Sequence, residues 1–271
     1  MRSVAAGWCL FAAAIAAGAD ETTHCNAFIT ALPYTITKQG HYCFNRNLST
    51  AISTGNAITI AADYVVLDLN GFKLGGGGAG LATRAIGVYS LDRGNILVRS
   101  GTIRGFSTGV ALGGTFEGPR TSRNNRVENL VLDANTTNGI GLSGDSMVIR
   151  NNLVVNTGGS TVDGRARGIS AESPDNSTPV VVTIRDNVVS NTFGTGPGGS
   201  AIGIAAVVFG GAAVVEHNLV SGVTPGPGGD ARGIQTFTAT EGFCRDNTVL
   251  GAPPGNGISN CTLIADNYAS P

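Results

Sequence analysis

Charge is scarce in this chain. Only 13% of the residues are Asp, Glu, Lys or Arg, and 17 basic against 18 acidic side chains leave a formal net charge of −1. No field of one sign covers the surface, which removes the electrostatic footprint of a nucleic-acid binder or of a protein recruited to an anionic membrane. Aromatic residues are also few, at 6%. His24 and His41 have no Cys or acidic partners at a metal-ligand spacing, and His217 has no Ser or Cys nucleophile assignable to it. Beyond the first seventeen residues no charge-free apolar run is long enough to span a bilayer.

Glycine is plentiful, with 41 residues, and a glycine-rich chain with few aromatics suits a turn-rich, all-β fold better than a helical one. The N-terminus is set apart. Met1-Arg2, an Ala-rich apolar run to Ala17, and Ala17-Gly18-Ala19 before Asp20 match the three regions of a secretory signal. Residues 1–19 are therefore expected to be a signal peptide, and the protein to be secreted, periplasmic or at the cell surface. Cys9 leaves with the signal. The four remaining cysteines fit an oxidising compartment. They allow three connectivities, or free buried thiols; proximity in sequence favours Cys25 with Cys43 and Cys244 with Cys261.

The chain repeats itself. Val182-Thr-Ile-Arg-Asp-Asn-Val-Val-Ser-Asn191 has copies at Met147–Asn156, Ala213–Gly222 and Gly242–Gly251. In each, an apolar residue three places before the shared Asn and another two places after it are expected to point inward, with an Arg or Glu pointing outward, the period of a half-buried strand. Such a unit cannot bury its apolar face alone, so repetition implies stacking into a solenoid. A first row is a small residue ahead of Ile or Val: Ala57, Gly87, Gly109, Gly139, Gly168, Gly203, Gly233 and Gly257. Glycine at seven of eight places points to positive φ or to close packing between layers. A second row, Asn70, Asn152, Asn187, Asn218, Asn247 and Asn267, is interrupted by Gly101 and Leu130. It reads as a ladder of corner residues that tolerate the left-handed conformation and hydrogen-bond along the stack. The glycine spacings of 30, 22, 30, 29, 35, 30 and 24 give about eight coils from residue 56 onward. Residues 20–55 do not fit the repeat and are expected to cap the first layer.

The extra length of the longer coils falls between Asn and Gly. Asn156–Arg167, Asn191–Ser200 and Val223–Arg232 are three consecutive insertions on that arc, where repeat proteins often build a binding face. Alignment on the glycines places Arg167 and Arg232 in one row two coils apart, roughly 10 Å at the usual strand spacing. Arg84, Arg165, Ser200 and Asp230 form the next row, and Glu172 follows on the strand of Ile169. Arginine forks suit carboxylate and phosphate, so Arg84, Asp163, Arg165, Arg167, Glu172, Asp230 and Arg232 are the candidate substrate-binding residues, and an acidic polysaccharide or cell-surface glycan the expected partner. The competing reading pairs Arg165 and Asp230 with neighbours on a solvated corner. A separate loop, residues 113–125, carries Glu117, Arg120 and Arg123 on a different arc. The outward row Arg99, Glu128, Arg150, Arg185, Glu216 and Arg245 reads as cross-strand ion pairs.

Asn56-Ala-Ile-Thr-Ile60, Val65-Val-Leu-Asp-Leu-Asn-Gly71 and Val98-Arg-Ser-Gly-Thr-Ile-Arg-Gly-Phe106, followed by the Asn repeats, resemble bacterial right-handed parallel β-helix proteins of the pectin-lyase-like superfamily. The resemblance covers nearly the whole mature chain and implies an all-β, right-handed solenoid over residues 56–271. It is specific for fold and not for activity, because the fold hosts lyases, hydrolases, epimerases and adhesins. The Asn-Thr-Asp and Gly-His-Gly signatures of polygalacturonase-like hydrolases and the Asp-Pro-His-Asp of alginate-epimerase-like members are absent from the chain. A polysaccharide lyase or glycoside hydrolase is the alternative function, and a structural or adhesive surface protein a third. No cofactor is expected. Calcium enters only if the protein is lyase-like, with Asp163, Glu172, Asp175 and Asp230 as ligands and Arg165 or Arg167 as the base. The last coil, at Asp266-Asn267-Tyr268, lacks a capping helix and is expected to self-associate through its edge.

Overall fold

The computed structural model describes residues 25–114, 122–173, 180–238, 241–253 and 255–270. The signal segment, His24, Glu117, Arg120 and Asp175 lie outside these. Each turn of the chain passes through three stacks of parallel strands. Met147–Arg150, Val180–Arg185 and Gly211–Glu216 lie in the first stack, before the Asn corner. Leu153–Gly158, Val188–Phe193 and Leu219–Thr224 lie in the second, after it. The third stack carries the glycine row and has nine strands, from Tyr34–Ile36 to Ile258–Ser259. This is a right-handed parallel β-helix. Eight third-stack strands follow residue 56, as the spacings predict. The ninth comes from the segment expected as a cap, where Tyr34 and Ile36 pair in parallel with Ile58 and Ile60.

The apolar row is continuous: Ile58, Val88, Val110, Ile140, Ile169, Ile204, Ile234 and Ile258 share one register. From Ile58 to Ile234 these side chains are buried, each contributing roughly 1.5–3 kcal/mol through burial. The glycine ahead of them is required by packing and not by positive φ. A Cβ on Gly168 would meet Val189 of the second stack and would lie 2.6 Å from the carbonyl oxygen of Gly203 in the next coil.

At the Asn corner the ladder runs through Asn152, Asn187, Asn218, Asn247 and Asn267. The Oδ1 of Asn187 accepts from the backbone N–H of Asn152 at 3.1 Å and from its Nδ2 at 3.0 Å, and Asn218 repeats the pattern toward Asn187. Each Nδ2 also donates to a carbonyl of the preceding coil, as Asn187 does to Ile149. These amides satisfy the backbone groups that a sharp bend takes out of the strand pairing. Two expectations are corrected here. The left-handed seat is the residue before the ladder, filled by Asn151, Asp186, His217, Asp246 and Asp266. Asn70 is in neither row: with φ 51° it lies in a corner two residues longer than the next, where Asp68 pairs with Arg99 and Lys73 with Thr102, and the fully buried Leu69 turns inward against Gly101.

Both cysteine pairs are disulfides, Cys25–Cys43 and Cys244–Cys261, with Cα separations of 5.8 and 5.9 Å. The outward charged row forms pairs between coils at Asp68 with Arg99 at 2.8 Å, Glu128 with Arg150 at 2.7 Å and Glu216 with Arg245 at 2.6 Å, while Arg185 pairs instead with its neighbour Asp186 at 2.8 Å.

Candidate functional site

The outer surface of the third stack carries a patch of small side chains. The residue after each inward Val or Ile points away from the core, and on four successive coils these are Tyr89, Ala111, Gly141 and Ser170, aligned in register, with Ser170 itself covered. Beside them run Leu91, Gly113, Ser143 and Glu172 on one flank, and Asn138 and Arg167 on the other. The small residues Ala111, Gly113 and Gly141 therefore floor a depression of about 230 Å³. Tyr89 and Leu91 rise at one end and Arg167 and Glu172 at the other, across three coil spacings, or roughly 14 Å.

At the charged end, Arg167 donates from Nη1 to Glu172 Oε1 at 3.0 Å, and Ser170 Oγ donates to the same oxygen at 3.0 Å. About a third of each charged side chain remains exposed, 36% and 33%. The pair thus presents fixed donors beside a fixed acceptor to anything lying over Gly141.

The remaining candidates lie near this face without joining it. Arg167 and Arg232 do share a row, with Ile202 between them. Arg232, however, pairs with Asp230 at 2.6 Å, and Asp230 also accepts from Asn256 Nδ2 at 3.2 Å. Arg165 pairs with Asp163 through two hydrogen bonds of 3.1 and 3.2 Å. That bonding outweighs desolvation and holds the Asp163 carboxyl below the usual aspartate range. Arg84 stands two residues before Ile86, three coils from Arg165, and its N–H bonds the carbonyl of Ser53 at 2.8 Å.

The glycine-rich insertions are ordered against one another. Thr195 N–H donates to Gly164 O at 2.9 Å, Gly198 N–H to Pro227 O at 2.8 Å, and Gly226 N–H to Gly199 O at 2.8 Å. They form a ridge between the second and third stacks, with a shallow cleft between residues 159–164 and 195–197. The sequence singled out the ridge and missed Tyr89, Asn138, Ser143 and Ser170. The missed signal is a run of small outward residues two places after the glycine row, bounded by an aromatic.

Among the described residues, Glu172 is the one carboxylate lining the depression. His217 lies 3.3 Å from Asp246 and 4.0 Å from Asp186 on the first-stack corner, away from this face. Cys25, His41 and Cys43 cluster closely enough to hold a metal ion, but the two sulfurs are joined in a disulfide. No helix among the described residues is long and apolar enough to cross a membrane.

The fold and this face define a parallel β-helix protein with a solvent-facing depression on its third sheet. No protein-family model and no curated protein sequence matches the chain. Among solved structures it is similar to the Dettilon tailspike protein, at 15% identity and a TM-score of 0.35, over 90% of this chain and 60% of that one. The chain thus spans less than two thirds of that protein's length.

Proposed function

We propose that this is an exported carbohydrate-binding β-helix protein that holds a polysaccharide or cell-surface glycan along the outer face of the third stack. The observation that carries this reading is the union of Tyr89 and the Arg167–Glu172 pair on one surface, separated by a floor of small residues. A sugar ring has an apolar C–H face that packs on an aromatic ring, and hydroxyls that pair with fixed donors and acceptors. The two disulfides support an oxidising, extracytoplasmic compartment.

The acidic glycan expected from the arginine row is narrowed by the pairing. Arg165, Arg167 and Arg232 each already face a carboxylate, so an anionic ligand must compete with Asp163, Glu172 and Asp230. A hydroxyl-rich glycan of low charge density fits the face better than a polyanion. Hydrolysis of a glycosidic bond generally uses two carboxyl groups flanking it, and the described part of this depression offers one, so binding without turnover is the reading adopted.

Glycan arrays followed by analysis of the bound material test this. Tyr89→Ala and Arg167→Ala are each expected to weaken binding about tenfold, the loss of one good contact, with the thermal transition unchanged. Unaltered affinity in both variants would remove this face, and new reducing or unsaturated ends would replace binding with catalysis.

A further inference from the structure

We propose a second site at the N-terminal end of the second stack: an oxyanion site that takes a sulfate or phosphate group. Ser49, Gly75 and Arg104 are register partners on three successive coils, so their outward positions form one row across roughly 10 Å. The middle member has no side chain. A Cβ on Gly75 would lie 2.9 Å from Ser49 Oγ and 3.7 Å from Lys73 Cε, so glycine is what opens the seat. The chain then leaves the stack through the Gly77–Ala79 turn, where Gly78 packs against Ala51, its Cβ position 3.0 Å from the Ala51 methyl. The result is a cleft of about 570 Å³.

Its chemistry differs from that of the glycan face. Lys73 precedes Gly75 by two residues, faces the same side of its strand, and has no ion-pair partner among the described residues. Arg104 reaches the cleft from the next coil, held by Asp133 at 3.2 Å from the side away from Gly75. Thr50 Oγ1 accepts from the Ile52 N–H at 3.3 Å, which leaves its hydroxyl proton to donate. Two cations against one carboxylate give a local excess of positive charge, whereas the arginines at 99, 150, 165, 167, 232 and 245 are each matched by a carboxylate. An ammonium, a guanidinium fork and two hydroxyls around a seat walled by glycines and Ala51 suit a compact tetrahedral oxyanion. The group is either the free ion or its ester on a saccharide.

The test is an NMR titration of the ¹⁵N-labelled protein with inorganic sulfate and inorganic phosphate, at constant ionic strength against chloride. Saturable shifts confined to Thr50, Gly75, Gly78 and Arg104 are expected, with Lys73→Gln and Arg104→Gln each weakening binding about tenfold. Both side chains reach solvent, so both variants should fold, and the unchanged part of the spectrum reports that they do. Glucose 6-sulfate distinguishes the sources: tighter binding than inorganic sulfate assigns a saccharide ester, and equal binding the free ion. Shifts that rise linearly with anion, spread over the surface, or survive Lys73→Gln would overturn the site. Such a failure leaves the Tyr89 face untouched, since the two share no residue.

Discussion

Replacing Asn187 by Ala tests whether the corner ladder holds the coils together. Asn187 is buried, 1% exposed. Its Oδ1 accepts from the N–H and Nδ2 of Asn152, and its Nδ2 donates to Ile149 O and to Asn218 Oδ1, all at 3.0–3.1 Å. Alanine removes every one of these and leaves at least the Asn152 N–H and the Ile149 carbonyl short of a partner away from water. Each such group costs about 1–3 kcal/mol, so the substitution should cost roughly 2–6 kcal/mol and lower Tm by on the order of 10 °C. Asn191→Gly is the control. Asn191 is exposed, lies outside the ladder, donates one side-chain hydrogen bond to Asn156 at 2.8 Å, and occupies a left-handed position that Gly222 and Gly251 fill in later coils. Its replacement should cost about 0.5 kcal/mol. Thermal and urea unfolding of the two variants measure the difference. An Asn187→Ala protein within about 1 kcal/mol of the parent, or no less stable than Asn191→Gly, would refute the reasoning.

Gly168→Val should cost about 3 kcal/mol or more, because the new side chain enters the space of Val189 and the Gly203 carbonyl; a variant that melts like the parent would contradict it. Reduction of Cys25–Cys43, which closes a sequence separation of 18 residues, should destabilise the first coil by about 3 kcal/mol, read from hydrogen exchange of residues 27–44 with and without reductant. The depressed pKa of Asp163 means that its pairing with Arg165 contributes above the usual carboxylate range and is lost as pH falls through the folded value. Arg165→Gln should therefore raise the Asp163 midpoint in a carboxyl ¹³C titration, and an unmoved midpoint would deny the pair. Arg232→Ala, on the row of Arg167 but outside the depression, should weaken glycan binding less than Arg167→Ala does, and the reverse order would shift the site toward the ridge.

The third stack was legible from the sequence because its register is set by a period that glycine marks: the residues that follow the glycine row, from Ile58 to Ile258, are the residues that pair. Local cysteine pairing followed from proximity. Asn70 does not join the ladder because its corner is two residues longer than those that follow, which turns Leu69 inward in place of an Asn, and no spacing marks that lengthening. The arginine row pairs where the glycine spacing placed it, and the competing reading, Arg165 and Asp230 paired with neighbours, is the one the ion pairs bear out, though the partners themselves were not legible. Arg165–Asp163, Arg232–Asp230 and Arg167–Glu172 close over two or five residues through side-chain conformations that no spacing specifies. Tyr89 left no mark in the spacing because its coil runs only 22 residues to the next glycine without an insertion; the small residues beside it are what open the depression.

A crystal structure of the protein soaked with neutral and acidic oligosaccharides tests the central claim most directly. A saccharide is expected over Ala111 and Gly141, one ring against Tyr89 and its hydroxyls on Arg167 and Glu172, with the neutral oligosaccharide bound at least as well as the acidic one. A saccharide seated only in the cleft between residues 159–164 and 195–197, or bound solely through its carboxylates, would contradict it.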